Sequence, residues 1–189
     1  MAVPTPNPMS RLMYLSTLTA ATTATLSFTK LDVATQGLSV SALKFVLRAL
    51  NPDTNSVSLT MRLSQAGAFI STSKYGYGSY GIPMAGTLAA QVNAADNAAQ
   101  ILLGAPTAAA TGTQWGTSGE IYWPSPFDTV SFKTCNYSLF QTTGATTGIH
   151  FVGGGTYVND ALALDGIQLF FSGGNITSGS VDAYALIAQ

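Results

Sequence analysis

Apolar and polar residues alternate in short runs from residue 25 onward, the period-two spacing of strands that bury one face and expose the other. Thr25-Leu26-Ser27-Phe28 opens the pattern. In Leu43-Lys44-Phe45-Val46-Leu47-Arg48, the residues Leu43, Phe45 and Leu47 share a face opposite Lys44 and Arg48. Val57-Ser58-Leu59-Thr60-Met61-Arg62-Leu63 alternates strictly, and Asn51-Pro52-Asp53-Thr54-Asn55 between these runs is strong turn chemistry. The two runs are therefore expected to form an antiparallel pair. The alternation returns at Glu120-Ile121-Tyr122-Trp123 and at Val130-Ser131-Phe132-Lys133-Thr134, and strands are expected near Ile149 to Val152, Gly166 to Phe171 and Ser180 to Ile187. Roughly seven to nine short strands separated by Gly and Pro predict an all-β fold of two packed layers.

Two regions break the pattern. Residues 64 to 118 place Tyr75, Tyr77 and Tyr80 among glycines and then run through an alanine-rich stretch from Ala85 to Ala110. The tyrosine stretch reads as a flexible aromatic loop, and Ala94 to Leu103 as two turns of helix. Residues 1–11 carry Pro4, Pro6 and Pro8 and end at Arg11. This composition favours an extended, polyproline-like arm ahead of a single domain spanning 12–189. Such an arm loses little backbone entropy when it lies in a neighbour's groove; a frayed terminus is the plain alternative.

Charge narrows the functional classes. Asp, Glu, Lys and Arg make up 8% of the chain, where about 25% is usual. So lightly charged a surface gives little electrostatic repulsion between copies and suits a protein that packs beside itself; an ordinary β domain kept soluble by hydroxyls is the alternative. The seven basic residues are scattered, so nucleic acid is not an expected partner. No run of about 20 apolar residues is present, so no membrane-spanning helix is expected. Leu12 to Leu18 is interrupted by Ser16 and Thr17 and makes a poor export signal.

The residues that usually carry catalysis are sparse. The one histidine, His150, lies between Ile149 and Phe151, with no GxSxG elbow and no acid tied to it by spacing. It reads as a structural or surface side chain. Cys135 is the only cysteine, expected to serve as a small core hydrophobe, and one His with one Cys does not make a zinc site. Gly76, Gly78 and Gly81 satisfy GxGxxG literally, but Pro83 follows and no βαβ pattern surrounds them. The eight acids are dispersed, and none is singled out as half of a glycosidase pair. No catalytic, cofactor or metal site is expected. Tyr75, Tyr77 and Tyr80, with Trp115, are the candidate surface for a ligand or partner, since tyrosine offers flat apolar area with a polar tip. The alternative is that these rings, and Trp123, pack against their own domain.

Near the C-terminus the run from Asp165 to Tyr184, including Phe171-Ser172-Gly173-Gly174-Asn175-Ile176-Thr177-Ser178-Gly179, resembles the closing hairpin of a family of bacteriophage virion domains. Those domains read Phe-Ser-Ser-Gly-Asn-Ile-Ala-Ser-Gly before a strand containing Tyr. Ala24 to Thr29 resembles their opening strand and Gly119 to Tyr122 their mid-domain strand, so the likeness spans roughly residues 12 to 187. It departs at Gly173, at Thr177 and in the alanine-rich middle. The resemblance implies a jelly-roll sandwich of two antiparallel sheets, a place in the virion after synthesis in the bacterial cytoplasm, and no catalytic residues. Within it, the length of the chain and the lack of a fibre shaft favour a capsid decoration (cement) protein or head-fibre base. It would be a homotrimer whose arm, Pro4, Pro6, Pro8 and Arg11, grips the major capsid shell. A tail-tip or tail-fibre component whose tyrosine loop binds a host surface glycan is the alternative, and a carbohydrate-active enzyme a third reading. In the hairpin itself, Gly173, Gly174 and Asn175 suit positive φ, Gly179 admits the chain to the next strand, and Ile176 is expected beneath the turn.

Overall fold

Where the sequence alternates, burial alternates with it: Leu43, Phe45 and Leu47 are buried while Arg48 is exposed, and Leu59, Met61 and Leu63 are buried in turn. The computed structural model describes residues 11–34, 37–84, 90–107, 116–144 and 147–188. Among these it has thirteen strands and one helical turn, α1 (Leu31–Ala34). The strands are β1 (Arg11–Thr19), β2 (Leu26–Phe28), β3 (Val40–Pro52), β4 (Val57–Gln65), β5 (Ala68–Phe69), β6 (Tyr75–Pro83) and β7 (Gln91–Ala98). They continue with β8 (Ile101–Thr107), β9 (Thr117–Pro124), β10 (Lys133–Gly144), β11 (Thr147–Tyr157), β12 (Gly166–Phe171) and β13 (Ile176–Ile187).

The strands form an all-β sandwich of two antiparallel sheets. The larger has eight strands in the order β1-β13-β3-β9-β10-β11-β6-β7, and the smaller has the order β2-β12-β4-β5, with β8 also paired to β4. The main core lies between them, and in it Phe28 of β2 meets Phe45 of β3 at 5.5 Å between ring centroids; Ile149 and Phe151 of β11 form a separate small cluster. Two tyrosines of the larger sheet reach across the core with their hydroxyls. Tyr75 donates to the Ile70 carbonyl and accepts the Leu63 N–H of β4, both at 3.0 Å, and Tyr137 donates to the Leu102 carbonyl of β8 at 2.9 Å.

Several expectations are corrected. β3 and β4 do not pair with each other: β3 lies between β13 and β9 in the larger sheet, and β4 lies in the smaller. The turn between them is a corner that carries the chain from one layer to the other. The same holds for β12 and β13, so Ser172 to Asn175 closes a corner and not a hairpin. Turn residues specify a reversal, and they do not specify whether the flanking strands bond to each other or face each other across a core.

The stretch Tyr75 to Tyr80 is strand and not flexible loop, paired on one side with β11 and on the other with β7. Ala94 to Leu103 is also strand, divided between β7 and β8, because Ile101 and Leu103 fill the core and β7 completes the sheet beside β6. Alanine's helix preference, worth a few tenths of a kcal/mol per residue, loses to that pairing. Val130 precedes its strand and is 84% exposed. The Asp128 carboxylate accepts the N–H groups of Val130 and Ser131 in a tight turn, and the ladder begins only at Lys133. Finally, Arg11 belongs to β1, opposite Ile187, and not to an arm.

Candidate functional site

Of the side chains singled out from sequence, Pro4, Pro6, Pro8 and Trp115 lie outside the described residues. The three tyrosines do not make one surface, because strand alternation sends them to different sides. Tyr75 is fully buried, its ring 5.5 Å from that of Tyr157, and burial pushes its hydroxyl pKa up to about 12. Tyr77 is half-buried against the core, whereas Tyr80 points outward and is half exposed. Trp123 is buried. Cys135 is buried and unpaired, and desolvation raises its thiol pKa to about 12.

The C-terminal corner has a defined geometry. Gly174 takes φ +70° and Gly179 φ +104°, whereas Gly173 and Asn175 keep ordinary negative φ, contrary to expectation. Ile176 is fully buried beneath the turn. A side chain at Gly174 would run into the Asp53 carboxylate, and one at Gly179 into the Ala49 carbonyl. The Asp53 carboxylate accepts the Asn175 N–H at 2.9 Å, the Asn175 amide at 3.0 Å and the Thr54 hydroxyl at 2.8 Å, while the Asp53 N–H donates to the Asn175 carbonyl at 3.0 Å. The backbone N–H of Asn175, then the Thr54 hydroxyl, hold the Asp53 pKa below the usual carboxylate range. The β3–β4 and β12–β13 corners are thus clasped together at one end of the sandwich. This is a structural joint with no reactive group.

The outward face of the larger sheet is the surface with binding character. Cross-strand register aligns Lys44, Tyr122 and Asn136 on β3, β9 and β10, and the same row continues as Gly154, Gly78 and Ala94 on β11, β6 and β7. The adjacent row runs Glu120, Ser138, Val152, Tyr80 and Val92. Where the two rows meet on β9 and β10 there is an open depression of about 240 Å³ lined by Glu120, Tyr122, Asn136, Tyr137 and Ser138. Lys44 Nζ lies 2.7 Å from Glu120 Oε1, so the two charges on this part of the face neutralise each other. Tyr122 is 39% exposed, Tyr80 50% and Val92 73%.

His150 also stands on this face, with Nε2 2.8 Å from Ser138 Oγ. Among the described residues no carboxylate is hydrogen-bonded to the imidazole, and Glu120 is held by Lys44. Among the described residues no group of three His, Cys, Asp or Glu side chains is placed to hold a metal, and no helix is long and apolar enough to cross a membrane. The arrangement is suited to binding through flat rings, hydroxyls and amides. Sequence reading missed Tyr122, Asn136 and Ser138 because each sits in an ordinary polar slot of an alternating strand. Only their register, invisible in one dimension, brings them together. Compared with protein-family models, with curated proteins and with solved structures, the chain matches none.

Proposed function

We propose that the chain is a structural component of a bacteriophage virion, a jelly-roll capsid decoration (cement) protein or head-fibre base carried as a homotrimer on the major capsid shell. The observation that carries this reading is the run from Asp165 to Tyr184, whose residues resemble those of virion domains and which here closes a two-sheet sandwich. Two features support it. The exposed outer face is rich in apolar and neutral polar side chains, as befits a protein surrounded by others. On that face Lys44 and Glu120 pair with each other, which leaves little net charge to repel a neighbouring copy, and the reading assigns the chain no catalysis.

A cryo-EM map of the virion tests the proposal. Density for this fold at regular positions on the head, in copy number set by the capsid lattice, is the expected result; a few copies at the tail, or none in the particle, counts against it. Purified protein that sediments as three chains supports the homotrimer, and hydrolysis of a bacterial polysaccharide by that protein would overturn the non-catalytic reading. A second reading, a tail component that holds a host surface glycan, is favoured by the exposed Tyr80 and Tyr122 beside neutral polar groups.

A further inference from the structure

We propose that the outward face of the larger sheet carries a groove for an extended, uncharged oligosaccharide, running across β9, β10, β11, β6 and β7 from Tyr122 to Ala94. The first reason is a glycine without an internal explanation. Gly78 sits mid-strand with an ordinary negative φ, and a Cβ built on it would meet no atom within 4 Å. Neither the backbone nor the packing of the domain requires glycine there, although glycine weakens a strand. A bare position of this kind marks a place where something else comes close. Of its register neighbours, Gly154 lacks a side chain because one would meet the Cys135 carbonyl and Ala94 carries only a methyl, so the row beyond Asn136 has a floor with almost no side chains.

The second reason is what stands around that floor. The depression between β9 and β10 lies at one end of it, and Val152, Tyr80 and Val92 make a wall along its length. Five strands at about 4.8 Å spacing give a path of about 19 Å from Tyr122 to Ala94, long enough for several linked sugars. Tyr122 and Tyr80 offer partly exposed ring faces on which the C–H face of a pyranose can stack. Among the described residues, neither tyrosine hydroxyl nor the Asn136 amide has a hydrogen-bond partner, so these groups are available to ligand hydroxyls.

The third reason is charge. Lys44 and Glu120 cancel at the Tyr122 end, and no basic stripe follows the row that would favour a phosphate backbone or an acidic polymer. The chemistry on offer matches a neutral polyhydroxyl chain. This inference does not depend on where in a virion the chain resides: a map that removed it from the head would leave the groove intact, and failure of the groove would leave the virion reading intact.

The test is isothermal titration of the full chain with purified neutral oligosaccharides of the gluco-, manno-, galacto-, rhamno- and N-acetylglucosamine series, each compared with its monosaccharide. The expected result is binding by at least one series that strengthens with chain length. Tyr122→Ala should weaken it by about tenfold, and Gly78→Leu should abolish it while melting at the wild-type temperature, because the added side chain enters open space. A clearly lower melting temperature for Gly78→Leu would overturn the premise that the position is kept bare for a ligand. Absence of binding by every series at millimolar concentration would overturn the groove. So would a face-to-face dimer in sedimentation velocity that Gly78→Leu breaks, since the bare row would then seat a second copy of the chain.

Discussion

Tyr75 shows how much one polar atom can hold when the rest of its side chain is in the core. Its hydroxyl both accepts the Leu63 N–H of β4 and donates to the Ile70 carbonyl. Tyr75→Phe removes the oxygen and takes this partner from the buried Leu63 N–H and from the partly buried Ile70 carbonyl. A loss of about 1–3 kcal/mol is expected in urea unfolding, with the fold unchanged. Its high pKa has the same cause as that of Cys135, namely burial of the neutral form in an apolar layer. The Cys135 thiol should therefore resist a thiol reagent at mildly alkaline pH in the native protein and react at once after denaturation; labelling of native protein at the unfolded rate would contradict its placement in the core.

Among the elements, the two clasped corners are the joint most open to mutation. Gly174→Val forces a β-branched residue into φ +70° and displaces the Asp53 carboxylate. An expected cost of about 2–4 kcal/mol combines the backbone strain with the lost clasp, read as a lower urea midpoint. Much of this was legible in the sequence. The strands Leu26–Phe28 and Gly166–Phe171 stand where alternation put them, and both turn regions were recognisable from Asn, Pro, Asp and Gly. What could not be read was pairing. Asp53 and Asn175 are far apart in the chain, and the alternation of β3 and β4 is equally compatible with a hairpin or with two facing layers. β6 was missed because its glycines hide the period: Gly76 and Gly78 occupy outward slots and Gly81 an inward slot where a side chain would strike Phe151. The outer-face site was illegible for a related reason, since a groove floored by absent side chains leaves no motif.

For the molecule as a whole, acid is the condition that loosens it. Hydrogen bonds from Thr17 and Arg48 hold the Asp182 pKa below its usual value, as the Asn175 and Val130 N–H groups do for Asp53 and Asp128. A carboxylate depressed in the folded state stabilises that state fully above its unfolded pKa, near 4, and the contribution fades as pH falls through the folded value. The melting temperature should be level from neutral pH to about 5 and drop below about 4. Asp182→Asn should lower the neutral value and flatten the acid limb; an unchanged acid limb would exclude Asp182 as a contributor. Asp53 is exposed and Asp128 partly so, and water and salt therefore screen much of their share.

The position of β13 between β1 and β3 sets the order in which the molecule can be made. β13 follows the other strands of the described residues, so the ribosome releases β1 with its neighbour still unsynthesised, and β3 with one edge open. β1 must wait, unpaired, until translation has delivered residues 176–187, whereas β3, β9, β10, β11, β6 and β7 can pair with one another before then. Docking of β1 into the larger sheet therefore waits for β13, and a nascent chain stalled before β13 presents unpaired edges on β1 and β3.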